Sequence, residues 1–241
     1  MQLKPEWQIR CKLAALYRIF DLLGWTDTIF THISARIPDT DFILMNPYGK
    51  LYKEITASSL IKVSLTDSSF IRDNINTVGY NIHSAIHNAR PEINYVLHTH
   101  TVPIVTVSSL QEGLLPISQY GLYIANNLSY HNYGGIFFWE DEKDTLVKSI
   151  GNKNTFCLMR NHGSLVLSKD IDQALFNQYI LQKACEVQIM VQSTNQPYIL
   201  LDDAIIDRTV EYTNTKQNKQ EKAPHLLWDA MIRQIGNEYE C

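Results

Sequence analysis

The chain has 241 residues, 45% hydrophobic and 19% charged, with a formal net charge of -4 and no basic block. That length supports one large α/β domain or two small ones. The charge excludes a phosphate-neutralising nucleic-acid surface, and no apolar run is long enough to cross a bilayer.

Met1 to Glu6 lacks the apolar core of a signal peptide. Pro5 to Gly24 predicts a helix: Ile9, Leu13, Leu16, Phe20 and Leu23 recur at spacings of four and three. Pro5 suits a first turn and Gly24 the residue after the last. Thr28 to Arg36 and Phe42 to Met45 read as strands separated by the turn Pro38–Asp41, and Asn46-Pro47-Tyr48-Gly49 is a second tight turn. His32 is isolated and is expected to pack or hydrogen-bond. Leu60 to Leu65 is a third strand, and Thr66 to Asn76 a polar loop.

Tyr80 to Arg90 predicts a short helix with Ile82, Ala85, Ile86 and Ala89 inward and Pro91 stopping it. His83 and His87, at i and i+4, share a face. No Glu follows His83 as a metalloprotease helix needs, so one His should flank a site and the other be solvated.

Tyr95 to Val102 reads as a strand in which His98 and His100 point to one side, as a divalent metal requires. Pro103 then sits near the strand's end. Ser108 to Ile117 is a connector, Tyr120 to Asn126 a short strand or turn, and Tyr130 to Gly135 a loop containing His131. Glu140 to Ile150 predicts a helix with acids early and lysine late. Thr155 to Met159 and Ser164 to Leu167 form strands around the turn Arg160-Asn161-His162-Gly163. Asp170 and Gln173 suggest a capping box opening a helix to about Gln192. Thr213 to Lys222 is polar and lysine-rich, and His225 to Gln234 is a final amphipathic helix. Cys11, Cys157, Cys185 and Cys241 are scattered, without Cys-x-x-Cys, which predicts free thiols in a reducing cytoplasm and argues against cysteine-ligated zinc.

His162, beside Gly163, is the best third ligand for a metal held by His98 and His100. Ala89-Arg90-Pro91-Glu92-Ile93-Asn94 and Val96-Leu97-His98-Thr99-His100, followed by Met159-Arg160-Asn161-His162-Gly163, resemble the class II aldolase/adducin family. The likeness runs from about Arg10 to Gln192. It implies a three-layer α/β/α fold with a central, mostly antiparallel sheet over residues 1–202. Residues 203–241 would form a C-terminal extension. It also implies a homo-tetramer with active sites between subunits, and a zinc or other divalent transition metal on His98, His100 and His162. The family's aldolases cleave a C–C bond of a small sugar or sugar phosphate, with the metal stabilising the enediolate.

The resemblance also shows departures. The Glu that acts as base, twelve residues before the Arg-Pro proline, matches Gly79. The substrate-gripping positions match Thr77 and Val78, Thr31-His32, and Tyr48-Gly49, so His32, Gly49 and Thr77 are the substrate-side candidates. Tyr120 matches the tyrosine acid, and His83 or His131 is the candidate replacement for the missing base. Gly79-Tyr80-Asn81-Ile82-His83-Ser84-Ala85-Ile86 and Tyr130-His131-Asn132-Tyr133-Gly134 resemble the head of adducin and its bacterial relatives. Adducin binds actin through a neck and tail that this chain lacks, so actin binding is not expected. Two functions follow as expectations: a metal-dependent aldehyde lyase, or a non-catalytic binding and assembly module that keeps the zinc site.

Overall fold

A computed structural model describes residues 5–67, 74–135, 140–216 and 222–240. In chain order its main elements are α1 (Pro5–Leu22), β1 (His32–Arg36), β2 (Phe42–Met45), β3 (Ile61–Ser64), α2 (Thr77–Ala89), β4 (Tyr95–Thr99), α3 (Val102–Ser109), α4 (Gln119–Ile124), β5 (Leu128–His131), α5 (Glu140–Ile150), β6 (Phe156–Met159), β7 (Gly163–Ser168), α6 (Ile171–Ser193), α7 (Asp203–Lys216) and α8 (Lys222–Ile235). Part of the expected loop Thr66–Asn76, and Cys241, lie outside the described residues; Cys11, Cys157 and Cys185 are free. No described helix is long and apolar enough to cross a membrane.

The seven strands form one sheet in the order β3-β2-β1-β4-β7-β6-β5. Every neighbouring pair is antiparallel except β5 and β6, which α5 joins as a parallel crossover. Successive side chains alternate between its faces. Ile33, Ala35, Leu97, Leu158 and Val166 face a core built with α1, α3, α6 and α8. Val96, Cys157, Met159, Leu165 and Leu167 face a second core built with α2 and α5. The architecture is therefore three-layered, α/β/α, as the resemblance implied.

Several boundaries differ from expectation. The strand read from Thr28 begins only at His32, because the chain turns through Thr28, whose φ is +49°. The strand read to Val102 ends at Thr99. Val102 opens α3, and Pro103 occupies its first turn, where the missing N–H costs nothing. The stretch read as a strand or turn after Tyr120 is the short helix α4. Part of the expected loop Tyr130–Gly135 is strand β5. The capping box at Asp170 does not form: Asp170 makes no side-chain cap bond, and the Gln173 amide donates to Asn177 Oδ1 at 2.7 Å. In contrast, Asn76 caps α2 through an acceptor bond from the Gly79 N–H at 3.1 Å. The last helix, α8, carries buried Trp228 into the core shared with α1 and α6.

Candidate metal centre

His98 lies one residue before the end of β4 and projects to the α2/α5 face, on the same side as Val96. His100 stands just beyond the strand. His162 arrives from the β6–β7 turn, which Asn161 makes in the left-handed region at φ +58°. Gly163 allows the close approach. A Cβ there would sit 2.4 Å from the Thr99 carbonyl oxygen and 2.9 Å from the His100 ring. Potential ligand atoms of His98, His100 and His162 all lie within 4.8 Å of one another. The ring centroids of His162 are 4.9 Å and 4.7 Å from those of His98 and His100.

The hydrogen bonds fix which nitrogens face inward. His98 Nδ1 lies 2.9 Å from the Ser164 carbonyl, which can only accept, so Nδ1 carries the proton. His100 Nδ1 lies 3.1 Å from the Asp27 carboxylate and donates likewise. Both Nε2 atoms therefore present lone pairs, and they stand 2.7 Å apart. Two facing lone pairs at that distance repel, and a cation between them turns repulsion into coordination. Burial keeps the rings neutral: it holds His98 well below the usual imidazole range, with His100 adding to the effect, and pushes His162 down to about 4. The His100 pKa is lowered by burial, against the opposing Asp27. The donor set thus suits a divalent transition metal, with Ser164 and Asp27 orienting the ligands.

A second group of imidazoles adjoins the first. His32 stacks on His98, centroids 4.8 Å apart and planes at 22°. His32 Nδ1 meets His83 Nε2 at 2.8 Å. His83 Nδ1 meets Ser34 Oγ at 2.5 Å, and Ser34 Oγ meets His87 Nε2 at 2.8 Å. The chain ends on the Ile93 carbonyl, 3.2 Å from His87 Nδ1. That carbonyl only accepts, and this sets every donor in sequence. His87 donates to Ile93, Ser34 to His87, His83 to Ser34, and His32 to His83. His32 Nε2 is left with a lone pair. The expectation that one of His83 and His87 is solvated is therefore corrected: both are fully buried, because the inner face of α2 lies on β1 and Ser34 bridges them. Burial pushes His32 and His87 down to about 3, with neighbouring His100 and Arg36 respectively adding to it.

Gly79 explains how His32 fits. A Cβ at 79 would lie 2.6 to 2.9 Å from three atoms of the His32 ring, Nε2 among them. The room that a side chain at 79 would need is filled by imidazole.

Beside His162 is a depression of about 330 Å³, open to solvent and lined by His131, Tyr133, Gly134, Glu142, Met159 and Val78 among others. His131 is tied through Nδ1 to Ser149 Oγ at 3.1 Å. Tyr120 lies on α4 with its ring 6.3 Å from Tyr179; among the described residues no hydrogen bond or ring contact joins it to the histidines. Gly49 is exposed in its turn at φ +91°, and exposed Thr77 opens α2. Asp27, Ser164 and Glu142 carry no motif in the sequence, and Tyr133 stands there only within the Tyr130–Gly134 resemblance. Asp27 precedes a stretch that reads as strand, and Ser164 acts through its backbone carbonyl, so neither gives a pattern to find.

A mostly antiparallel sheet between helical layers thus brings three histidines to one point, from the end of β4 and the β6–β7 turn, in a three-layer α/β protein with a candidate metal site. The family model described as the class II aldolase and adducin N-terminal domain matches residues 11–189, and the chain belongs to that family. An aldolase II superfamily protein from Pseudomonas syringae is 36% identical with a TM-score of 0.87, over 100% of this chain and 98% of that one. The L-fuculose 1-phosphate aldolase from Glaciozyma antarctica PI12 is 26% identical with a TM-score of 0.80, over 97% and 92%. Alpha-adducin of Rattus norvegicus is 39% identical over 77% of this chain, which spans 26% of that protein's length.

Proposed function

We propose that this protein is a divalent-metal-dependent aldehyde lyase acting on a small sugar or sugar-phosphate-like substrate, with zinc as the resident ion. The convergence of His98, His100 and His162 with their Nε2 lone pairs directed inward carries this reading. Similarity to the L-fuculose 1-phosphate aldolase supports the substrate class. An ion held there supplies Lewis-acid stabilisation of a developing oxyanion. The chain's own residues hold and move the protons. His131, on the open depression beside His162, is the candidate base in place of a carboxylate at 79, while His32, backed by His83, fills the room that carboxylate would need. Thr77 and Gly49 lie on the substrate side. Tyr120 acts as the acid from a neighbouring subunit of a homo-tetramer.

A second reading, a non-catalytic adducin-like assembly module, is favoured by Gly79 itself, which removes the carboxylate base. Metal analysis with an aldehyde-release assay over a panel of ketose 1-phosphates separates the two. Zinc with turnover supports the lyase, and zinc without turnover on any member supports the module. His98→Ala completes the test: we expect it to abolish turnover at unchanged oligomeric mass. Loss of the oligomer would instead make the site structural.

A further inference from the structure

The segment that carries His98 and His100 alternates histidine with threonine: His98-Thr99-His100-Thr101. The histidines turn to the metal side, and the threonines meet α6, on the opposite side of the sheet. Gln178 and Gln182, one turn apart on α6, meet those threonines. Gln178 Nε2 donates to Thr99 Oγ1 at 3.2 Å, and Thr101 Oγ1 donates to Gln182 Oε1 at 2.7 Å. Gln182 Nε2 then donates to Glu186 Oε1 at 2.9 Å. Thr99 Oγ1 also meets Ser164 Oγ at 3.0 Å, and the Ser164 carbonyl is the acceptor that orients His98.

Two observations set this apart from ordinary core packing. Thr101 is the N-cap of α3, where a hydroxyl would ordinarily accept from the helix's open N–H groups. It makes no such bond and is spent on Gln182 instead. Gln178 is fully buried with its Oε1 lacking a partner among the described residues, a cost the fold carries to keep the amide at Thr99. Both glutamines also lie on the inner face of a helix, where leucine would pack without polar cost.

We infer that Gln178 and Gln182 are positioning residues of the metal centre: a clamp on α6 that sets the spacing of the His98 and His100 rings by holding the threonines that alternate with them. The clamp rests on the metal reading above. Direct hydrogen-bond partners of a metal's ligands commonly change its affinity about 10- to 100-fold, and the glutamines act one step further out, through the threonines, so their effect is expected below that range. Gln182→Met keeps the volume and removes the acceptor; Thr101→Val removes the donor from the other side without leaving a cavity.

The test loads the purified full chain with cobalt(II) or zinc(II) alone. It compares dissociation constants and the cobalt d–d absorption, with circular dichroism and Tm recorded on the same samples. We expect Gln182→Met and Thr101→Val each to weaken cobalt binding by about threefold or more and to shift the d–d bands. The double variant should be no weaker than the worse single one, because both remove the same bond. Variants with unchanged affinity and spectrum, differing only in Tm, overturn the clamp and leave the metal site standing. If Gln182→Met does not fold, Thr101→Val alone decides by the same two readouts. A wild-type chain that binds neither ion overturns the metal reading, and the clamp with it.

Discussion

At position 79 one absent carbon decides what the site contains. An alanine in a helix is ordinarily favoured over glycine by roughly 1 kcal/mol, so propensity alone says Gly79→Ala should stabilise α2. The room is already taken, however: the new Cβ would stand 2.6 Å from Cδ2 and 2.7 Å from Nε2 of His32. That ring cannot swing away cheaply, because it is stacked on His98 and bonded to His83. Overpacking of this kind costs about 1–3 kcal/mol, which exceeds the propensity gain. The expected outcome is a lower Tm and a weakened metal site. A Tm above wild type would show that His32 is not the occupant.

The same logic extends to how elements meet. Helix α2 sits on β1 through a polar seam, Ser34 between His83 and His87. Ser34→Ala strips two fully buried imidazole nitrogens of their partner. Each orphaned group costs about 1–3 kcal/mol, so the urea midpoint should fall by the equivalent of at least about 2 kcal/mol with the m-value unchanged. A midpoint within error of wild type would mean that the seam is not continuous. Much at this scale was legible beforehand. The periodicity of Ile9 through Leu23 located α1, Pro91 ended α2, and the His-x-His and Asn161-His162-Gly163 motifs marked the residues that converge. Other elements were hidden for physical reasons. Val102 reads as the end of a β-branched strand, yet it opens α3, whose Ile104 and Val107 pack in the core shared with α6. Helix α4 is too short to show a 3.6-residue period. The partners of His83 and His87 could not be read either, since Ser34 lies on a strand whose pairing with α2 no spacing reveals.

For the molecule as a whole, protons and metal both act on buried, neutral imidazoles. In the metal-free fold, burial holds His32 and His87 near 3, whereas an unfolded chain titrates near 6.5. Between those values the unfolded state binds more protons, so stability rises with pH through that window. Read the other way, it is lost as pH falls below about 6.5 and continues to fall toward about 3. At pH 5 each such ring costs ~2 kcal/mol, a large share of the stability of a domain. Metal binding needs neutral imidazoles as well, at His98, His100 and His162, so affinity drops in the same direction. Zinc at a hundred times its dissociation constant adds about 2.7 kcal/mol at neutral pH. Calorimetric scans of zinc-loaded and chelated protein between pH 5 and 8 should therefore show two things. The chelated Tm should fall steadily below pH 6.5. The gap to the loaded protein should be widest near pH 8 and close toward pH 5. A chelated Tm flat across this range would contradict the burial of these rings, and coincident curves at pH 8 would remove zinc from the site. The two failures are separable because the first is read without metal and the second only with it.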